Sequence, residues 1–277
     1  MSEGALYVCA TPIGNLGDIS ERLTKTLSSV DVVYAEDTRR TAKLLSHLGI
    51  GKPVVSLFSG NEMERSERLV GELEAGRRVA LVSDAGTPGV SDPGAAAVAM
   101  ALDRGLTVRV VPGPSAVTAA IALSGLGGDR FVFEGFLPRR GEEREERLEA
   151  MSREERPVVL FVTPHRFGQD LSDLARVCGA DRRVTIAREL TKLHEEVWSG
   201  SLGEGLDRFG DEVKGELTVV LAPAPPAAVS DDDVIEEARR MVAGGMSRSE
   251  AARVAASAGG VSRRVVYQAL IGDQEPS

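Results

Sequence analysis

The 277-residue chain is poor in the residues from which several common functional centres are built. Its two cysteines, Cys9 and Cys178, lie far apart and form no CxxC pair, which argues against a disulfide framework or a zinc ribbon and fits a reducing compartment. Three histidines without a cysteine cluster argue against a catalytic zinc site, and no metal is expected. Long apolar runs are missing as well. The purest, 95–102, is far shorter than the roughly 20 residues that span a bilayer. The N-terminus has no basic segment and Pro12 interrupts its short apolar run, so no signal peptide is expected and a cytoplasmic location is. Walker A, GxSxG, HExxH and GxGxxG patterns are absent, which removes the best support for a P-loop or the usual dinucleotide fingerprint. Positive charge is short too. Lys+Arg 33 against Asp+Glu 42 leaves −9, which disfavours a globally basic nucleic-acid binder.

What is present describes an ordinary folded chain. Hydrophobic residues at 42% and charged residues at 27% rule out a disordered or fibrous protein. The length fits two domains of roughly 100–150 residues with a small appendix. Strands are predicted over 6–10, 32–35, 54–58, 79–83 and 108–111, with helices over 20–30, 38–48, 63–75, 95–103 and 115–123. Short buried strands alternating with helices imply an α/β fold with a mostly parallel sheet covered on both faces. The glycines of 125–128 mark a boundary. Further strands are predicted over 131–136, 158–163, 184–187 and 217–221, with another possible strand segment close before Trp198, itself read as packing. The charged stretch 142–156 reads as a solvated helix or a mobile excursion. Residues 222–229, with three prolines, form a linker. Beyond it, one helix begins at 231–233, Ser247 to Glu250 form a capping box with Met246 as its staple, and Ser262 caps a third helix. The last two helices resemble a helix-turn-helix. The expected division is 1–125, 126–224 and 225–277.

Glycine and proline concentrate directly after predicted strands, at 10–16, at 83–94 and at 112–116. In open α/β sheets that edge is where ligands sit, and small residues there let a flat ligand approach backbone amides. One such loop is weak evidence, because glycine and proline simply make turns. Three of them, each following a strand, are specific.

With these loops the chain resembles the tetrapyrrole (corrin/porphyrin) methylase superfamily from about Leu6 to Pro223. The stretches that carry the resemblance are Thr11-Pro12-Ile13-Gly14-Asn15-Leu16-Gly17-Asp18, Ala35-Glu36-Asp37-Thr38-Arg39, Ser83-Asp84-Ala85-Gly86-Thr87-Pro88 and Pro112-Gly113-Pro114-Ser115-Ala116. Phe133-Glu134-Gly135-Phe136-Leu137-Pro138, Pro164-His165-Arg166 and Ala187-Arg188-Glu189-Leu190-Thr191-Lys192 complete them. The Asp-Thr-Arg, Phe-Leu-Pro and Arg-Glu-Leu-Thr-Lys stretches look like the small-subunit ribosomal RNA methyltransferase I branch, which methylates a cytidine 2′-hydroxyl of 16S rRNA. The resemblance implies two αβα domains, S-adenosylmethionine (SAM) in the cleft between them, and a homodimer acting on the small ribosomal subunit in its decoding region. It implies that Pro12 shapes the cleft floor, that Asp84, Ala85, Gly86 and Thr87 line the methionine and ribose side, and that Ser115 and Ala116 meet the cofactor nearby. Phe161, Val162, Glu189, Leu190 and Thr218 are then expected to enclose adenine.

Methyl transfer from a sulfonium is an in-line displacement in which alignment supplies several kcal/mol. A ribose hydroxyl is a poor acid, so a base or an electrostatic stabiliser is needed. Asp37 or Glu36 is the candidate base, with Lys192 and Arg39 positioning the phosphate or the 2′-oxygen. Arg139, Arg140, His165, Arg166 and Arg188 are candidate RNA contacts. Each has a plainer reading: Glu36-Asp37 as a helix cap, His165-Arg166 as a surface helix start, Arg139-Arg140 as a solvated turn. Other functions stay open on the residues alone: a tetrapyrrole C-methyltransferase, a diphthine synthase, and a ligand-sensing DNA-binding regulator that uses the C-terminal helices.

Overall fold

The computed structural model describes residues 4–210, 213–225 and 230–272. Five short apolar runs form the strands of the first sheet: β1 (Ala5–Cys9), β2 (Val32–Ala35), β3 (Val54–Ser56), β4 (Arg78–Val82) and β5 (Thr107–Val111). All pair in parallel, in the order β3-β2-β4-β1-β5. Between them run α1 (Glu21–Ser29), α2 (Thr38–His47), α3 (Glu62–Glu74) and α4 (Ala95–Asp103). Ser20 caps α1 by accepting the Leu23 N–H at 3.1 Å, a contact of a kind that stabilises a helix by about 1 kcal/mol.

Side chains alternate across this sheet. In β4, Val79 and Leu81 join the core under α3 and α4, while Ala80 and Val82 join the core under α1 and α2. The helices that follow β1 and β2 therefore pack on one face, and those that follow β3 and β4 on the other. At the C-terminal ends of β2, β4 and β1 the chain leaves in opposite directions, and a crevice opens there.

The helix α5 (Ala116–Ser124) leads to a second five-stranded sheet: β6 (Val132–Phe136), β7 (Val158–Val162), β8 (Arg183–Arg188), β9 (Glu196–Ser201) and β10 (Leu217–Leu221). Its order is β6-β7-β10-β8-β9, and only β6 and β7 pair in parallel. β7 and β8 still point the same way, as their intervening helix requires, because β10 inserts antiparallel between them. Trp198 lies within β9, packed edge-to-face on Phe209 with centroids 5.7 Å apart. On one face of this sheet α6 (Glu142–Arg153), α7 (Phe167–Cys178) and α8 (Leu202–Phe209) cover a core that includes Leu148, Phe167 and Leu174. On the other face Val159, Ala187 and Val220 meet Val117, Ala120 and Ile121 of α5, together with Ile13 from the loop after β1.

The charged stretch after β6 is a helix with one buried face rather than an excursion, and Arg144 is the reason. Its side chain is 3% exposed and bonds Asp170 at 2.8 Å and Asp173 at 2.6 Å. It also donates to the Pro138 carbonyl at 2.9 Å. α6 is thereby fixed both to α7 and to the turn that follows β6.

Both sheets belong to one compact unit, 1–224. The second unit, 225–277, contains α9 (Asp231–Ala243), α10 (Arg248–Gly259) and α11 (Arg263–Gly272). Ser230 and Asp233 form a reciprocal capping box at the start of α9, and Ser247 caps α10 by accepting the Glu250 N–H. Val234, Ala238, Ala252, Ala255 and Val266 make the core of this unit. Residues 226–229 of the expected linker lie outside the described residues. Among the described residues, no helix is long and apolar enough to cross a membrane.

Arg144→Ala removes the central buried cation and leaves the Asp170 carboxylate to Arg166 alone, and the loss expected is about 3 kcal/mol, the lower end for breaking a buried pair. Urea unfolding should show it; a loss below about 1 kcal/mol would mean that the pair is not a structural tie.

Candidate active site

The crevice at the end of the first sheet faces the α5-covered side of the second sheet, and the two enclose a cavity of about 580 Å³. The wall from the first sheet is built by three loops locked to one another. Thr11 N–H donates to the Gly86 carbonyl at 2.9 Å, and Gly86 N–H returns to the Thr11 carbonyl at 3.1 Å. The Thr11 hydroxyl donates to the Ser83 carbonyl at 3.1 Å. Asp84 ties in the loop after β2, since one carboxylate oxygen accepts the Asp37 N–H at 3.0 Å and the other faces Arg40 at 3.4 Å. Ser115, at the start of α5, leaves its hydroxyl without a capping bond, and both it and Ala116 reach the cavity.

The opposite wall is a row across the second sheet. Thr218 of β10 pairs with Phe161 of β7 on one side and with Ala187 of β8 on the other, and all three line the cavity. Phe133 meets Phe161 edge-on at 5.1 Å, and Phe136 meets it at 5.4 Å. The result is an apolar shelf opposite a wall of backbone and carboxylates.

The structure brings together on this lining Glu36, Asp84, Ala85, Gly86, Thr87, Ser115, Ala116, Phe161, Val162, Leu190 and Thr218. Pro12 does not line it, although its neighbour Ile13 does. Glu189 stands just outside, accepting the Glu216 N–H at 2.8 Å, and Glu216 itself lines the cavity. Lys192 bonds Glu189 at 2.7 Å and Glu216 at 3.2 Å. Burial opposes the charge on Lys192, but the two carboxylates outweigh it and raise its pKa. Its stem crosses Gly14, where a β-carbon would lie 2.5 Å from Lys192 Cγ. The turn that carries it holds Glu189 at φ 51° and Thr191 at φ 67°, a conformation that is an outlier for a β-branched residue.

Asp37 is turned away from the cavity. Its carboxylate caps α2 through the Arg39 N–H at 2.8 Å and pairs with the Arg39 guanidinium at 3.1 Å. Those bonds hold the Asp37 pKa down to about 2. Arg39 is thus exposed and paired at once. Arg139, Arg140 and His165 are exposed on the turns after β6 and β7. Arg166 bonds Asp170 at 3.1 Å inside the Arg144 network, and Arg188 bonds Glu196 at 3.1 Å.

Two features of the wall escaped the sequence reading of the site. Asp92 lines the cavity, and burial together with the neighbouring Glu36 charge pushes its pKa up to about 6. Burial and Asp84 raise Glu36 in the same way. The aromatic shelf of Phe133 and Phe136 is the other; its signal is the Phe-Glu-Gly-Phe stretch, which carries the family resemblance but no indication of a place in the cavity.

A model of the family described as Tetrapyrrole (Corrin/Porphyrin) Methylases matches residues 5–205. The chain is 44% identical over 269 residues, 96% of each chain, to the ribosomal RNA small subunit methyltransferase I of Synechocystis sp.. Its fold is similar to that of a diphthine synthase, with TM-score 0.63 and 23% identity over 79% of this chain and 90% of that one. It is also similar to the uroporphyrin-III C-methyltransferase of Thermus thermophilus complexed with S-adenyl homocysteine, with TM-score 0.58 and 19% identity over 78% of this chain and 96% of that one.

Carboxylate chemical shifts followed against pH should show Asp37 titrating near 2 and Asp92 near 6. An Asp92 midpoint at the ordinary aspartate value of about 3.9 would show that the wall does not desolvate it.

Proposed function

The chain belongs to the tetrapyrrole (corrin/porphyrin) methylase family, and from that premise we propose that it transfers the methyl group of SAM to a cytidine 2′-hydroxyl of 16S rRNA in the small ribosomal subunit. The cavity carries this reading. Its volume lies in the range of roughly 300–1,000 Å³ usual for small-molecule sites, and it joins an apolar shelf to a wall of backbone groups. Adenine suits the Phe161, Ala187 and Thr218 row; the ribose and methionine suit the loop Asp84–Thr87 and the unpaired Ser115 hydroxyl. The acidic wall also complements a sulfonium cation. When bound, SAM supplies an activated methyl group on sulfur. The protein's part is to align that group with the nucleophile, exclude water and receive a proton.

The rRNA substrate is supported by the name and near-full-length identity of the Synechocystis relative. The 2′-hydroxyl is the finer part of the proposal, as are a homodimer and a cytoplasmic location. The two sheets with their helices, about 1–125 and 126–224, then act as two lobes on one cofactor. Arg139, Arg140 and His165 are exposed at the ends of second-sheet strands, where RNA phosphates would be met. Lys192, poised between Glu189 and Glu216 beside the cavity, is suited to orient the incoming nucleotide rather than to hold the cofactor.

Labelled SAM and the full chain should transfer label to 16S rRNA when incubated with small subunits from a strain lacking the enzyme. The labelled ribose should map to a single cytidine. Label in a porphyrinoid and none in rRNA would replace this reading with tetrapyrrole methylation. Lys192→Ala should lower turnover more than SAM affinity, and the reverse pattern would move Lys192 to the cofactor.

A further inference from the structure

Transfer to a hydroxyl leaves a proton to be taken up, and the geometry narrows which group takes it. Asp37 is outside the cavity and bound to Arg39. Asp84 lines the cavity, but both its oxygens are engaged, one by the Asp37 N–H and the other by Arg40. Glu36 and Asp92 remain on this wall, with Glu216 on the other side, where it faces Lys192.

The loop that carries Asp92 is held in an unusual shape. Between β4 and α4 the backbone passes through positive φ at Gly86, Gly89, Ser91 and Gly94. Ser91, at φ 61°, is not a glycine and directly precedes Asp92. Its hydroxyl sits 3.2 Å from where a β-carbon on Gly135 of β6 would stand, so the loop presses against the second sheet. Just beyond Asp92, the Gly94 and Ala96 N–H groups both donate to the Glu62 carboxylate, at 2.8 and 3.2 Å. A β-carbon on Gly94 would lie 2.9 Å from Leu81. The strained segment is thus clamped on both sides of Asp92. Strain of this kind persists only where surrounding structure enforces it, and it concentrates at functional sites.

We infer that Asp92 is the general base of the methyl transfer, with Glu36 as a positioning residue that tunes it. This rests on the 2′-O-methylation proposed above. In the step, the bond from the ribose oxygen to the methyl carbon forms as the bond from that carbon to sulfur breaks. The sulfur keeps the electron pair and becomes the thioether of S-adenosylhomocysteine. The hydroxyl proton passes to the Asp92 carboxylate, which releases it to water after the product leaves. The charged and polar groups around Asp92 are the Ser83 hydroxyl, which favours its charge while donating to the Ala85 and Gly86 carbonyls, and the Glu36 and Asp84 carboxylates, which oppose its ionisation. Arg40 is the cation of this wall, acting on Glu36 and Asp84. A carboxyl in that setting titrates close to neutral pH, where a base combines availability with proton affinity.

Single-turnover methyl transfer by the full chain to small subunits, measured with saturating labelled SAM from about pH 5 to about pH 8, tests the assignment. The active form is the ionised one, so the wild-type rate should fall as pH drops through about 6. Asp92→Asn should lower the rate on the order of 10²-fold or more and flatten that limb, while calorimetric SAM affinity stays within about threefold. Glu36→Gln removes the repelling charge and should move the acid limb to lower pH. A wild-type rate in Asp92→Asn, a loss of SAM affinity matching the loss of rate, or an acid limb unmoved by Glu36→Gln would each overturn the assignment alone. No label in rRNA with the wild-type chain would overturn the functional reading and the assignment with it.

Discussion

The cavity depends on three strand-end loops being fastened to one another through the backbone. Thr11 and Gly86 exchange two peptide hydrogen bonds, and Asp84 takes the Asp37 N–H, so the loops after β1, β2 and β4 act as one rigid wall. None of these contacts uses a large side chain. That leaves the inner surface to small residues, peptide groups and a few carboxylates, and it lets a ligand approach the main chain closely. Because Asp84 is fully engaged in holding the wall, the proton chemistry falls to its neighbours. The opposite wall can then be almost wholly apolar, and the Phe161, Ala187 and Thr218 row supplies it.

Electrostatics follow from the same division. The net charge of −9 disfavours an undirected polyanion binder, yet it does not exclude recognition of structured RNA by local cations. Several candidates for that task prove to be engaged with carboxylates: Arg39 with Asp37, Arg166 with Asp170, Arg188 with Glu196, and Lys192 with Glu189 and Glu216. Arg139 and Arg140 are exposed, and neither makes an ion pair among the described residues. Few of these candidates are therefore free to meet phosphates, and docking onto a shaped ribosomal surface would have to add to what they supply.

Much of this fold is legible in the sequence because its signals are local. β2, α4 and β10 run between the expected residues, since each is a short apolar or alanine-rich run bounded by turn residues. The caps at Ser20 and Ser247 declare themselves in the same way. The insertion of β10 between β7 and β8 has no local signal, because it is decided by pairing between distant segments. Nor does the burial of Arg144, whose long charged side chain reads as solvated until α7 brings Asp170 beside it. Asp92 escaped for a similar reason. Its proximity to Glu36 arises only when the loops after β2 and β4 meet, and a glycine-rich turn gives no hint of which side chain it aims inward.

The central claim is that both sheets build one cofactor cavity, and calorimetric titration of S-adenosylhomocysteine into the full chain and into Thr218→Trp tests it most directly. The indole would fill the apolar side of the cavity without touching the wall that holds Asp84. One site per chain in the wild type, weakened in the variant by about tenfold or more, or roughly 1.4 kcal/mol, is the predicted result. Equal affinity in the two proteins would contradict the account.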